Sequence, residues 1–282
     1  MTVPSSTFEV VPMTADHIDQ ALALSQALDW PYRREDWEVA LQLGRGFAVE
    51  QDGECVGTAL WWAYDPDYAT AGMIIVADKA QRQGIGARLM AALLDDAAGR
   101  TMVLNSTVEG EALYTRVGFI PYDKVHQHQA VLQAAPALDP AVPVRAATAA
   151  DRDALLAVDR AASGMGRQDL VDNLCRGGET LVVERDGRVT GYAIARRWGR
   201  GVVIGPVAAR DASDAKALIA ALAARHVGTF VRIDVFESGG FSPWLEALGL
   251  PQVGRVVTMS RGAPPRGDKS ATLFALANQS LG

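Results

Sequence analysis

Apolar residues recur along this chain at two spacings, helical and alternating, and the switches between them mark out its elements. Ile18, Ala21, Leu22 and Leu28 fall at helical spacing behind Thr14-Ala15-Asp16, which offers an N-cap. Asp29–Trp37 is an aromatic turn leading into a second short helix that ends near Gly44. Phe47–Gln51 and Glu54–Tyr64 flank Asp52-Gly53, the dipeptide favoured in a tight hairpin turn. Asp65–Ala71 reads as a loop. Met73-Ile74-Ile75-Val76 is a short β-branched run that suits a buried strand. After a turn through Gln81-Arg82-Gln83-Gly84-Ile85-Gly86, helical spacing returns with Leu89, Met90, Leu93 and Leu94. Thr101–Thr107 predicts another strand, Glu109–Val117 a helix stopped by Gly118, and Phe119–Leu132 one or two closing strands.

Residues 134–143 (AAPALDPAVP) lack periodicity and read as a linker, after which the pattern restarts. Thr148-Ala149-Ala150-Asp151 opens a helix as Thr14 did. Thr180–Gly191 repeats Gly46–Gly57, with Gly187 and Gly191 in the places of Gly53 and Gly57. Ala217–Leu222 echoes Arg88–Leu93, and Leu245–Leu250 stands where Tyr114–Phe119 stands in the first half. Several matches in one order predict two copies of one α/β unit. The expected domains are residues 1–133, a linker at 134–143, and residues 144–282. The copies differ at the turn: aligning the helices sets Arg210–Ala215 over Gln81–Gly86, with both glycines lost and two aspartates present.

Composition narrows the function. A length of 282 residues with 49% apolar content supplies core for two ordinary domains. The formal net charge of −6, with no Lys/Arg run, argues against a nucleic-acid binder. No apolar stretch is long enough to span a bilayer, and MTVPSSTFEV has no basic segment followed by an apolar core, so a cytoplasmic protein is expected. Cys55 and Cys175 are too few for a disulfide framework or a metal site, so no metal is expected and both thiols read as small buried hydrophobes.

Strand, glycine-bearing turn and helix together make an anion site: the helix N-terminus presents unpaired N–H groups and partial positive charge, and glycine lets a phosphate approach. The turn has neither the Gly-Lys-Ser/Thr of a triphosphate loop nor three glycines in a dinucleotide pattern. It resembles the acyl-CoA pyrophosphate loop of the GNAT N-acyltransferases, through Gln81, Gly84 and Gly86. Gly110, Leu113, Tyr114, Gly118 and Phe119 keep the order of that family's second motif, although Asn105 lies about two residues too far from Tyr114. The resemblance spans roughly the full length of the first half. It implies two tandem GNAT-like domains of α/β (α+β) class, each a mixed, mostly antiparallel sheet flanked by helices, the second degenerate. It also implies acetyl-CoA as co-substrate. Ile74, Ile75 and Val76 would pair with pantetheine, and Gln81, Arg82, Gln83, Gly84, Ile85, Gly86 and Ala87 would form the pyrophosphate turn. Gly110 belongs to the second motif, and Thr107 could take over the contact of Asn105. Tyr114 would protonate the leaving thiolate.

The general base is open. No acid stands on or just before the Met73 strand, which leaves Asp65, Asp67, His126, His128 or a water chain; the two histidines alternate with glutamines, as on an exposed strand face. Trp30 and Tyr32, Trp62 (facing opposite to Trp61), Asp65, His126 and Asp234 are the acceptor-side candidates. The expected reaction is acetyl transfer to a primary amine on a small molecule. A protein lysine or N-terminal amine, or a CoA-binding sensor without turnover, are the alternatives, and a monomer and a homodimer are equally open.

Overall fold

In a computed structural model that describes residues 8–282, the first half runs β1 (Glu9–Pro12), α1 (Ile18–Ala27), α2 (Arg34–Leu43), β2 (Arg45–Gln51), β3 (Glu54–Tyr64) and β4 (Tyr68–Val76). It continues with α3 (Ile85–Asp96), β5 (Thr101–Ser106), α4 (Glu111–Arg116) and β6 (Ile120–Val131). Residues 134–143 hold no regular element. The second half repeats the order: β7 (Val144–Ala146), α5 (Arg152–Ser163), α6 (Gln168–Gly177), β8 (Gly178–Arg185), β9 (Arg188–Trp198) and β10 (Gly201–Ala209). Then come α7 (Ala212–Ala224), β11 (Phe230–Phe236), α8 (Ser242–Ala247), β12 (Gln252–Arg261) and an additional β13 (Thr272–Ala275). Both hairpins turn as the dipeptides require, with left-handed Asp52-Gly53 (φ 52° and 80°) and Asp186-Gly187 (φ 50° and 71°).

The strands form one sheet in the order β1-β2-β3-β4-β5-β12-β6-β11-β13-β10-β9-β8-β7. The closing strands are exchanged. β12, from the second half, pairs antiparallel with β5, and β6, from the first, pairs antiparallel with β11; β6 and β12 pair with each other at the centre. Withdrawn from its partner, either half would expose a long unpaired strand edge, so each half completes the other. The copies restart at Val144 in sequence, yet their strands interleave in space.

Helices cover both faces. On one face α1, α2, α5 and α6 share a single core with β3, β4, β9 and β10, centred on Trp37, Leu60, Trp62, Tyr192 and Ile194. On the other, α3 and α4 cover Ala59, Trp61 and Leu104, while α7 and α8 cover Ile204, Val207 and Ile233, in two separate cores. Trp61 and Trp62 do face opposite ways, and both are packed: Trp61 donates to Asp96 of α3 at 2.9 Å and Trp62 to the Ala40 carbonyl of α2 at 2.9 Å. Two expectations are corrected. Tyr68–Ala71 is strand, not loop, because it supplies the parallel pairing with β5. His126 and His128 do not lie on an exposed face: α8 closes over them, with Ser242 Oγ 2.9 Å from both rings and His128 fully buried.

Candidate functional site

β4 and β5 pair in parallel from Tyr68↔Thr101 to Ala71↔Leu104, and there the pairing ends. β4 continues against β3 alone, through a register shift that sets Leu60 opposite Gly72 and Thr58 opposite Ile75. Met73 carries the strain of this bulge, with φ 52° at a buried, unbranched residue, a conformation that costs on the order of 1–3 kcal/mol and collects at functional sites. Beyond it Ile74, Ile75 and Val76 run along an edge with no β5 partner, free to hydrogen-bond an extended ligand.

The turn lies at the mouth of this gap. Gln81 Nε2 donates to the Val76 carbonyl at 3.3 Å and to Asp78 at 2.8 Å, and Gln83 Nε2 donates to the Lys79 carbonyl at 3.2 Å, so both glutamines hold the turn's shape. Arg82 and Gly84 have left-handed φ of 61° and 81°, and Gly84 caps α3. The first α3 amide that finds a carbonyl is Arg88, bonded to Gly84; those of Ile85, Gly86 and Ala87 have no partner among the described residues, which leaves the anion-binding end of a 12-residue helix open. Ile85 is buried and anchors the turn. A Cβ on Gly86 would lie 3.2 Å from Leu113 of α4 and 3.9 Å from Val76, so turn, strand and α4 converge there. Tyr114, on α4, is 8% exposed and packs edge-on to Phe119 at 6.0 Å. Desolvation pushes its phenol up to about 12. Gly110 makes room for the Tyr114 ring, 2.9 Å from where a Cβ would stand, and Thr107 is exposed.

The second half closes the open edge, shortens the turn and caps the helix start. β10 and β11 pair in parallel at Val202–Val203, then diverge, and β13 fills the divergence: Val207, Ala208 and Ala209 of β10 pair with it on one side and Val235 of β11 on the other. The turn is also shortened, since only Arg210 and Asp211 join β10 to α7 where residues 77–84 join β4 to α3. Asp211 caps α7 by accepting from the Asp214 amide at 3.0 Å, which lowers its pKa. Asp214 is fully buried and pairs with Arg185 at 2.5 Å. The two aspartates thus occupy and orient the helix start, a firmer block than charge repulsion alone.

After β13, residues 276–282 cross to the first half on the α1/α5 face. Ser280 packs so closely on Gly72 that a Cβ there would fall 2.5 Å from Ser280 Cβ. Asn105 donates to the Gln279 carbonyl at 2.8 Å and accepts from Thr258 at 2.8 Å, and Tyr64 donates to the Leu281 carbonyl at 2.6 Å. Beside this segment a cavity of ≈ 200 Å³ opens between Leu104, Asn105, Asp123, Met165 and Ser280. It faces away from α3 and α4, so the turn and the cavity open towards the end of the β4–β5 pairing from opposite faces.

The acceptor-side candidates are scattered around it. Tyr32 sits among Trp30, Trp37 and Trp198 with centroids 5.9–6.2 Å apart, and its hydroxyl lies 3.4 Å from Ser280 Oγ. Trp62 and Asp65 line a second cavity, of ≈ 250 Å³, with Arg167; Asp65 is tied to Arg160 of α5 at 2.7 Å. His126 is on the α8 face, 3.3 Å from Glu237. Asp234 is fully buried, pairs with Arg232 at 2.9 Å and accepts from Gln279 at 3.2 Å. None of the six lines the ≈ 200 Å³ cavity. Sequence reasoning missed Asp123, Thr258, Gln279 and Ser280, whose distant segments meet only through the strand exchange.

Two models of one family, each described as an acetyltransferase (GNAT) domain, match residues 42–121 and 155–275. The Bacillus subtilis protein named "Uncharacterized N-acetyltransferase YitH" is 27% identical over 237 residues, 80% of this chain and 82% of that one. The "Holothin acyltransferase" of a Pseudoalteromonas species is 27% identical over 267 residues, 88% of each. A putative acetyltransferase from Pyrococcus horikoshii superposes with a TM-score of 0.83 over 100% of this chain and 98% of that chain, at 19% identity, which speaks for the fold alone. The chain belongs to the GNAT acetyltransferase family and carries the domain twice, in tandem.

Proposed function

We propose that the first half of this tandem GNAT chain, residues 1–133, takes an acetyl group from acetyl-CoA and passes it to a primary amine on a small molecule, while residues 144–282 bind no CoA. The observation that carries this reading is the unpaired β4 edge with an open helix N-terminus at its mouth, set against a counterpart filled by β13. The free amides of Ile85, Gly86 and Ala87 would hold the pyrophosphate, and the backbone from Ile74 to Val76 would pair with pantetheine. The acceptor would enter from the opposite face through the ≈ 200 Å³ cavity. A pocket of that size, closed by α5 and residues 276–282, suits a small amine better than a lysine on a protein surface.

In the transfer an N–C bond forms and the C–S bond breaks. The amine gives up one proton to water, and the sulfur gains one. Tyr114 stands on α4 beside the turn, and its raised pKa keeps the phenol protonated across the working range, so its O–H is available to the developing thiolate. The strained backbone at Met73, next to the end of the β4–β5 pairing, supports a thioester held there. Thiol release from acetyl-CoA across a panel of small primary amines tests the reading. Release with at least one amine, reduced about 100-fold in Tyr114→Phe, is the expected result; no release with any amine overturns it.

A further inference from the structure

The ≈ 200 Å³ cavity holds one ionised side chain, Asp123. The other side chains of its lining are apolar or neutral, and among the described residues no lysine or arginine contributes to it. Asp123 accepts the Lys124 amide at 2.7 Å on one oxygen and the Ser238 hydroxyl at 2.6 Å on the other, which fixes the carboxylate and leaves lone pairs on both atoms. The neighbouring cations are engaged elsewhere: Lys124 pairs with Glu237 at 3.0 Å, and Asp123 has no cationic partner among the described residues. A fixed carboxylate without a counter-ion, facing an otherwise neutral cavity, selects a cation.

Its position separates it from the reacting end. Asp123 lies on β6, three strands along the sheet from Gly72 on β4, roughly 14 Å at about 4.8 Å per strand. It therefore cannot reach an amine attacking a thioester held at the β4–β5 divergence. It can hold a second group at the far end of the same molecule. Resting on the amine-acetylation reading above, we propose that the acceptor is a short aliphatic diamine, one nitrogen attacking at the β4–β5 divergence and the other held as an ammonium by Asp123. An acceptor with a carboxylate in place of the second ammonium meets Asp123 with like charge and finds no cation in the cavity to offset it.

The test compares thiol release with putrescine, cadaverine, butylamine, pentylamine and γ-aminobutyrate, in wild type and in Asp123→Asn, an isosteric change that keeps a hydrogen-bond partner for both Lys124 and Ser238. In wild type the diamines should exceed the matching monoamines in kcat/KM by about tenfold or more, mostly through KM, as one charge-assisted contact predicts, and γ-aminobutyrate should be the poorest. In Asp123→Asn the diamine-to-monoamine ratio should fall towards one, with acetyl-CoA affinity, read by calorimetry, unchanged as the control for folding. Monoamine turnover equal to diamine turnover in wild type, or a diamine preference that survives Asp123→Asn, overturns this assignment and leaves amine acetylation standing. No release with any amine overturns both.

Discussion

Where β4 and β5 part, the backbone from Ile74 to Val76 keeps one side unpaired; where β10 and β11 part, β13 takes both edges. The helix that follows begins with three amides that have no partner among the described residues in α3, and with the Asp211 cap in α7. The two halves otherwise share element order, hairpin turns and sheet. The comparison teaches that a copied fold can close an open backbone from within: once another strand and a cap supply the hydrogen bonds, the edge and the helix start have no unmet demand left.

The largest expected effect breaks the open side of this comparison. Gly86→Asp puts a carboxylate among the free amides, and a like charge about 4 Å from a pyrophosphate oxygen costs roughly 4 kcal/mol at an effective dielectric near 20, so acetyl-CoA affinity should fall on the order of 1,000-fold by calorimetry. Asp211→Gly in the second half should leave the stoichiometry at one CoA per chain, because β13 still fills the gap. Next come the contacts that dock each half on the other. Asp36, 1% exposed, takes bonds from Arg33 and from the Gly199 amide, whereas its counterpart contact, Asp65 with Arg160, is solvated. Asp36→Ala should lower unfolding stability by about 3 kcal/mol, and Asp65→Ala by less than about 1 kcal/mol, in denaturant titrations.

Tyr114→Phe should reduce turnover about 100-fold with acetyl-CoA affinity within about twofold of wild type, while Leu245→Tyr at the matching place in α8 should change neither. The smallest effect is in the pH profile. Desolvation raises the Tyr114 phenol to about 12, so its proton is present below the ordinary phenol range and lost only as pH rises through that value. Turnover should therefore show no decline from this group at pH 10, where an unshifted phenol is about half ionised. A limb centred near 10 that disappears in Tyr114→Phe would mean the hydroxyl is hydrated.

Much of the architecture was legible in the chain. Helical and alternating spacing located most elements, Asp-Gly marked both hairpins, and the repeated order disclosed two copies. The turn with Gly84 and Gly86 was legible because its requirement, open amides on a glycine-bearing helix start, is local. The lining of the ≈ 200 Å³ cavity was not. Trp30, Tyr32 and Trp62 stood out as aromatic and Asp234 as a charge at a strand end, yet the aromatics pack the shared core and Asp234 is buried against Arg232, since prominence in sequence does not distinguish a lining residue from a packed one. Asp65–Ala71 read as a loop because its polar start hid a strand stabilised by β5.

Local spacing and turn chemistry by themselves determined the element order, the pairing of hairpins and the glycine-bearing turn before α3, because each depends on residues a few positions apart, and the recurrence of that local pattern disclosed the second copy. The exchange of β6 and β12, the filling of the second gap by β13 and the meeting of Asp123 with Asn105 and Ser280 were decided by the tertiary structure alone. Those contacts join distant segments, 174 residues apart between Asn105 and Gln279, and they form because open strand edges and buried polar groups find hydrogen-bond partners only once both halves have folded together.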